Sequence, residues 1–121
     1  MNYEFKILTF TNDSSFSMML AKECDKYGFI LSFIENIEEI ALELNNTVIA
    51  VSLIDLNEEE IDPFELSQFI KKDYGLPVFG VLNKFSKSIQ DKAKKNGFDL
   101  IFTKNMLLRS IREVVVHVSK E

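Results

Sequence analysis

The sequence has a single cysteine, no tryptophan, two prolines and four glycines among 121 residues. A lone Cys24 excludes an intramolecular disulfide and any multi-cysteine metal centre, and it agrees with a reducing compartment. No apolar run approaches the roughly 20 residues that a membrane span needs. The first residues, Met1-Asn2-Tyr3-Glu4, lack the charged-then-apolar pattern of a secretory signal. The chain is therefore expected to be cytoplasmic, with no membrane partner. Positive charge is missing from one long stretch: between Gly28 and Ile70 there is no Lys, Arg or His. A net charge of −5 argues against nucleic acid as a partner over the whole surface.

What is present is a globular composition. The apolar share is 46% and includes eleven phenylalanines, enough for a proper core in one domain spanning 1–121. No linker, internal repeat or low-complexity stretch interrupts it.

Strand and helix signals alternate five times. Phe5 to Phe10 reads as a strand. Asn12-Asp13-Ser14-Ser15 supplies N-cap chemistry for a helix to about Tyr27, stopped by Gly28. Phe29 to Ile34 is a second strand. Glu38 to Leu44 follows at helical spacing and ends at Asn45-Asn46. Thr47 to Ile54 is a continuous apolar strand. Asp62-Pro63 opens a helix that Gly75 closes, with proline in the first turn where its missing N–H does no harm. Pro77 to Leu82 is strand four, and Ser86 to Asn96 is helical with Gly97 behind it. Asp99 to Thr103 is strand five, and Met106 to Ser119 is the last helix. Such alternation predicts an α/β fold, a parallel sheet covered on both faces by right-handed crossovers.

Asp55 is the most informative residue. It ends the apolar strand, at the carboxyl edge where open α/β sheets collect their chemistry. A carboxylate there is costly unless something meets it.

The segment Asp55-Leu56-Asn57-Glu58-Glu59-Glu60-Ile61-Asp62-Pro63-Phe64-Glu65-Leu66 resembles the phosphoacceptor-aspartate segment of response-regulator receiver domains. The late lysine of that family matches Lys104, seven residues after Gly97. The resemblance covers essentially the whole chain. It implies a doubly wound, flavodoxin-like (βα)5 fold with strand order 2-1-3-4-5.

The same resemblance implies site residues, and most of them are altered. The acidic pair that helps hold Mg²⁺ falls on Thr11 and Asn12, with Asp13 one place later and expected to cap the helix. The phosphoacceptor position is kept as Asp55, and the position that lends a backbone carbonyl to the metal is Asn57. The two switch positions fall on Leu82 and Ile101. Lys104 is kept, followed by Asn105 instead of proline. Mg²⁺ wants oxygen ligands in near-octahedral geometry, so Asp55 alone is a poor ligand set. Leu82 has no group to offer a phosphoryl oxygen. Asp55 and Lys104 are expected to form an ion pair in place of the metal. The implied function is that of an atypical receiver, a pseudo-receiver that binds signalling proteins, is not an enzyme and has no cofactor. The alternative is an active receiver, phosphorylated at Asp55 by a histidine kinase with Mg²⁺ held by Asp55, the Asn57 carbonyl and Asp13. A further alternative, a small doubly wound domain that binds a ligand at the strand ends, lacks a Gly-rich phosphate loop after strand one, because Thr11-Asn12-Asp13-Ser14-Ser15 contains no glycine.

Charge is segregated. Ten acids lie between Gly28 and Ile70, and nine Lys and Arg lie from Lys84 onward. In strand order 2-1-3-4-5 these halves fall toward opposite edges. The runs read either as two solvated faces or, since the resemblance implies docking through the fourth helix, fifth strand and fifth helix, as a basic docking face there for an acidic partner or for a homodimer. Its expected residues are Lys84, Phe85, Lys87, Ile101, Arg109 and Arg112, with Phe85 reading equally well as core. Glu58-Glu59-Glu60 is expected to be a solvated turn. His117 is expected on the surface and Cys24 in the core.

Overall fold

The computed structural model describes residues 4–44 and 48–119. The elements alternate as β1 Glu4–Phe10, α1 Ser14–Tyr27, β2 Ile30–Phe33, α2 Glu39–Glu43, β3 Val48–Asp55, α3 Pro63–Tyr74, β4 Val78–Leu82, α4 Lys87–Lys95, β5 Leu100–Thr103 and α5 Lys104–Ser119. The strands pair in parallel in the order β2-β1-β3-β4-β5. The expected fold and strand order are therefore present. Asn45, Asn46 and Thr47, expected to end the second helix and open the third strand, lie outside the described residues.

Local chemistry explains the element ends. Asp13 caps α1 by accepting the Phe16 N–H, and Gly28 closes the helix at φ 73, a left-handed conformation that glycine reaches without strain. The Phe29 N–H reaches back to the Cys24 carbonyl at 2.9 Å, so Phe29 completes that helix end and β2 begins one residue later than expected. Asp62 caps α3 through the N–H groups of Phe64 and Glu65, with Pro63 in the first turn. Thr103 Oγ1 accepts the Met106 N–H at 3.2 Å. This N-cap starts α5 at Lys104, two residues earlier than the expected Met106. Helix α2 is shorter than expected because Leu44 is already extended, at φ −98 and ψ 138.

Alternation along the strands divides the core between the two faces of the sheet. Phe5, Ile7, Val51, Leu53, Phe79 and Val81 pack against Phe16, Leu20 and Cys24 of α1 and Leu107 and Ile111 of α5. Leu8, Phe10, Ile54 and Val78 pack on the other face against Ile40, Leu66, Ile70 and Ala93. Each large apolar side chain buried this way contributes about 1.5–3 kcal/mol of transfer free energy. Phe64 and Phe69, expected to face inward with Leu66 and Ile70, are half-buried at the edge of this second core. Gly80 has a packing role: a Cβ there would lie 2.9 Å from the Phe98 ring.

Asp55 follows Val51 and Leu53 in the two-residue period of β3, so its side chain is directed to the α1/α5 face. The chain leaves β1 at Thr11 and β5 at Lys104 on the same carboxyl edge. The topology thus gathers three residues far apart in sequence around one point.

Candidate functional site

Asp55 is 3% exposed and Lys104 is 8% exposed, so two opposite charges are buried together. Lys104 Nζ lies 2.9 Å from Asp55 Oδ2. The ion pair expected from the sequence is present. The same ammonium lies 2.9 Å from Asp13 Oδ2 and 5.5 Å from the centroid of the Phe16 ring, close enough for a cation–π contribution.

Every oxygen of Asp55 has a donor. Oδ2 also accepts the Thr11 hydroxyl at 2.6 Å. Oδ1 accepts the Asn57 backbone N–H at 2.9 Å, the local turn that aspartate makes with the residue two places on. Asp13 is similarly occupied: Oδ1 accepts the Phe16 N–H at 3.1 Å while Oδ2 takes the lysine. Asp13 therefore caps α1, as its position suggested, and also serves as the second anion for Lys104. Thr11 Oγ1 accepts the Asp13 N–H at 3.1 Å, which fixes the hydroxyl to donate toward Asp55. One connected network thus joins the ends of β1, β3 and β5.

These contacts bear on the protonation of Asp13 and Lys104. Hydrogen bonding to Lys104, with the Phe16 N–H, holds the Asp13 carboxyl below the ordinary aspartate value. Burial pushes the Lys104 ammonium down, but hydrogen bonds to Asp13 and Asp55 outweigh it and hold the group above the ordinary lysine value.

The other positions singled out in the sequence are placed as follows. Asn57 is exposed, and its Oδ1 accepts the Asn83 N–H at 2.7 Å, tying the loop after β3 to the loop after β4. Asn12 donates to Glu60 Oε2 at 3.3 Å. Leu82 is 1% exposed, and Ile101 is half-buried against the second core. Glu58 accepts the N–H groups of Glu59 and Glu60, so the acidic triplet is a self-braced turn. Among the described residues, no three His, Cys, Asp or Glu side chains come together as a metal-binding group. His117 is exposed and Cys24 is buried. On the basic half, Lys84, Lys87, Arg109 and Arg112 are exposed. Phe85 is 65% exposed and so belongs to the surface.

Sequence reasoning missed two contacts. The Asp13–Lys104 bond spans 91 residues, and the capping role already accounted for Asp13. The Thr11–Asp55 bond had a readable signal, since a hydroxyl at a lost acidic position is a natural donor to the acid that remains.

Comparison with known proteins gives the fold. No family model matches the sequence, and no curated protein matches it. Solved structures do match. A two-component response regulator from Clostridium difficile is 18% identical, with 98% of each chain covered and a TM-score of 0.80. A CheY-like response regulator receiver domain protein from Methanospirillum hungatei JF-1 is 17% identical, with 97% of this chain and 98% of that one covered and a TM-score of 0.72. An atypical orphan response regulator, described as having a phosphorylation-independent regulatory mechanism, is 17% identical over 95% of this chain and 92% of its own, with a TM-score of 0.69. This chain therefore has the fold of response-regulator receiver domains. No helix among the described residues is long and apolar enough to cross a membrane.

Proposed function

We propose that this chain is a pseudo-receiver, a receiver fold that works by binding other signalling proteins and in which Asp55 is a structural anion, not a phosphoacceptor. The observation that carries this reading is that donors from Thr11, Lys104 and Asn57 hold both carboxylate oxygens of Asp55. A carboxylate that must attack phosphorus needs a free lone pair and a positive field to meet the developing charge. Here three donors already hold the carboxylate, and the one buried cation among the described residues is shared between two carboxylates.

The residues present do not fit Mg²⁺. The cation favours several oxygen ligands in near-octahedral geometry. Thr11 and Asn12 replace the carboxylates that the resemblance leads one to expect, and the Lys104 ammonium lies between the two acids that remain, Asp13 and Asp55. Two carboxylates and one ammonium sum to a net charge of −1, and a divalent ion would have to displace or repel the ammonium between them. No cofactor and no enzymatic turnover are assigned. The buried Leu82 and half-buried Ile101 replace the switch residues, so no route from Asp55 to the surface is assigned either. The atypical regulator with phosphorylation-independent control is a precedent for signalling by this fold without the phosphoryl step.

The interaction face in this reading is the basic half, with Phe85 as its apolar centre. Lys84 and Lys87 flank it in sequence, and Ile101, Arg109 and Arg112 belong to β5 and α5. Opposite charge steers an acidic partner to such a face. A cytoplasmic location accompanies this reading. The alternative, phosphorylation at Asp55 with Asp13 standing in for the lost pair, draws on one observation: Asp13 and Asp55 share a single cation.

The test is exposure to a small acyl-phosphate donor with millimolar Mg²⁺, read by intact mass. No adduct is expected. A phosphoryl adduct that disappears in Asp55→Asn overturns the pseudo-receiver reading.

A further inference from the structure

A groove of about 280 Å³ runs between the start of α3 and the segment before α2, floored by Ile37, Ile61, Leu66 and Phe69 and rimmed by Asp62 and Glu65. Ile37 is 45% exposed, so the floor is only partly covered by the chain itself. All charge from Gly28 to Ile70 is negative. The groove therefore fits an apolar side chain flanked by cations.

The same chain carries such an element. Phe85 is 65% exposed and stands between Lys84 and Lys87, both exposed. It does not line the groove of its own chain. Contact between these two surfaces therefore requires a second molecule. We propose that the groove is a docking site for a second copy of this chain, whose Phe85 enters it while Lys84 and Lys87 meet the acidic rim. This inference rests on the reading of the chain as an interaction module and identifies the acidic partner as another copy of itself. Pairing of two basic faces would instead bring Lys84, Lys87, Arg109 and Arg112 against their own kind. Head-to-tail contact opposes unlike charges.

Geometry makes the proposal specific. Groove and knuckle are different surfaces, so the contact is heterologous and leaves one of each free at the ends of an assembly. A contact of this size belongs with weak encounters below about 1,200 Å², and its electrostatic part is sensitive to salt.

Sedimentation of the full chain at millimolar concentration tests it. In about 0.01 M salt, where the Debye length is about 30 Å, the average mass is expected to rise with concentration past the dimer; in about 1 M salt, where it is about 3 Å, the rise is lost. Two surface variants keep the test independent of folding. Ile37→Lys with Glu65→Lys removes the groove, and Lys84→Glu with Phe85→Glu removes the knuckle. Each alone is expected to be monomeric. Mixed in equal amounts they retain one intact contact and form a dimer that grows no further. A wild-type chain that stays monomeric in low salt overturns the proposal, as does association that persists in either variant, or a mixture that stays monomeric. Because mass reports the docking and the phosphodonor adduct reports Asp55, either reading can fail without the other.

Discussion

Thr11 donates its hydroxyl to Asp55 Oδ2 at 2.6 Å, the same oxygen that meets Lys104 Nζ at 2.9 Å. A hydroxyl thus stands where the resemblance implies an acid, and it stabilises the charge that an acid would repel. Removing it leaves a buried carboxylate short of one donor. Thr11→Val is expected to destabilise the fold by about 1.5–3 kcal/mol, the range for hydrogen bonds to charged groups. Thr11→Ser retains the donor and most of the stability. Urea unfolding, with the midpoint lowered and the slope unchanged, is the check.

Lys104 is the keystone of the network. Lys104→Met leaves the Asp55 side chain at 3% exposure without its cation, and the expected loss is about 3 kcal/mol. Pairing Lys104→Met with Asp55→Leu removes the stranded charge and is expected to recover most of that loss. A double-mutant cycle in urea measures the coupling. Unchanged stability in Lys104→Met contradicts the network.

The pH dependence follows from the signs. The folded-state carboxyls of Asp13 and Glu43 are held below their ordinary values of 3.8 and 4.5, the first chiefly by Lys104 and the second by Lys6 and Ser32. Their contributions are complete above those ordinary values and are lost as pH falls through the folded-state values. Lys104 is shifted the other way, so its contribution is complete below 10.5 and is lost as pH rises through its folded-state value. Stability is therefore expected to fall at both extremes. Asp13→Asn, which keeps a good helix cap, is expected to flatten the acid limb of urea midpoint against pH.

Two buried hydroxyls, Thr9 Oγ1 and Ser52 Oγ, have no hydrogen-bond partner among the described residues. A buried polar group without a partner costs free energy, and an apolar residue of the same shape avoids that cost. Thr9→Val, an isostere, is expected to be neutral or to raise stability by about 1 kcal/mol. Thermal unfolding is the check, and a loss above about 1 kcal/mol would reveal a partner for Thr9.

Cys24 is 1% exposed. Burial, with Glu23 beside it, pushes its thiol up to about 11. The thiolate is the reactive form, so Cys24 is expected to resist alkylation at neutral pH in the native state and to react on unfolding. Intact mass after iodoacetamide treatment distinguishes the two.

The fold was legible because each apolar run and each cap agreed with its neighbours. Gly28, Pro63 and Gly75 act as punctuation where their chemistry says they should. Element ends were less legible wherever one residue serves two elements: Phe29 closes α1, and Thr103 ends β5 while capping α5. At the site, Asp55 and Lys104 were legible as charges that the fold would bury and must pair. The second role of Asp13 was not, because its partner lies 91 residues away and only the sheet order brings them together. Phe85 was ambiguous between core and surface, since an isolated aromatic after a strand end carries no period to decide its side.

The most direct test of the central claim, that Lys104 does the work of a divalent cation here, is an Mg²⁺ titration followed by amide shifts at Asp13, Phe16 and Asn57. The account predicts no saturable, site-specific shift in the wild-type protein up to tens of millimolar Mg²⁺, beyond what salt alone produces. Saturable shifts at all three positions, abolished by Asp55→Asn, would show that the cation displaces Lys104 and would contradict it.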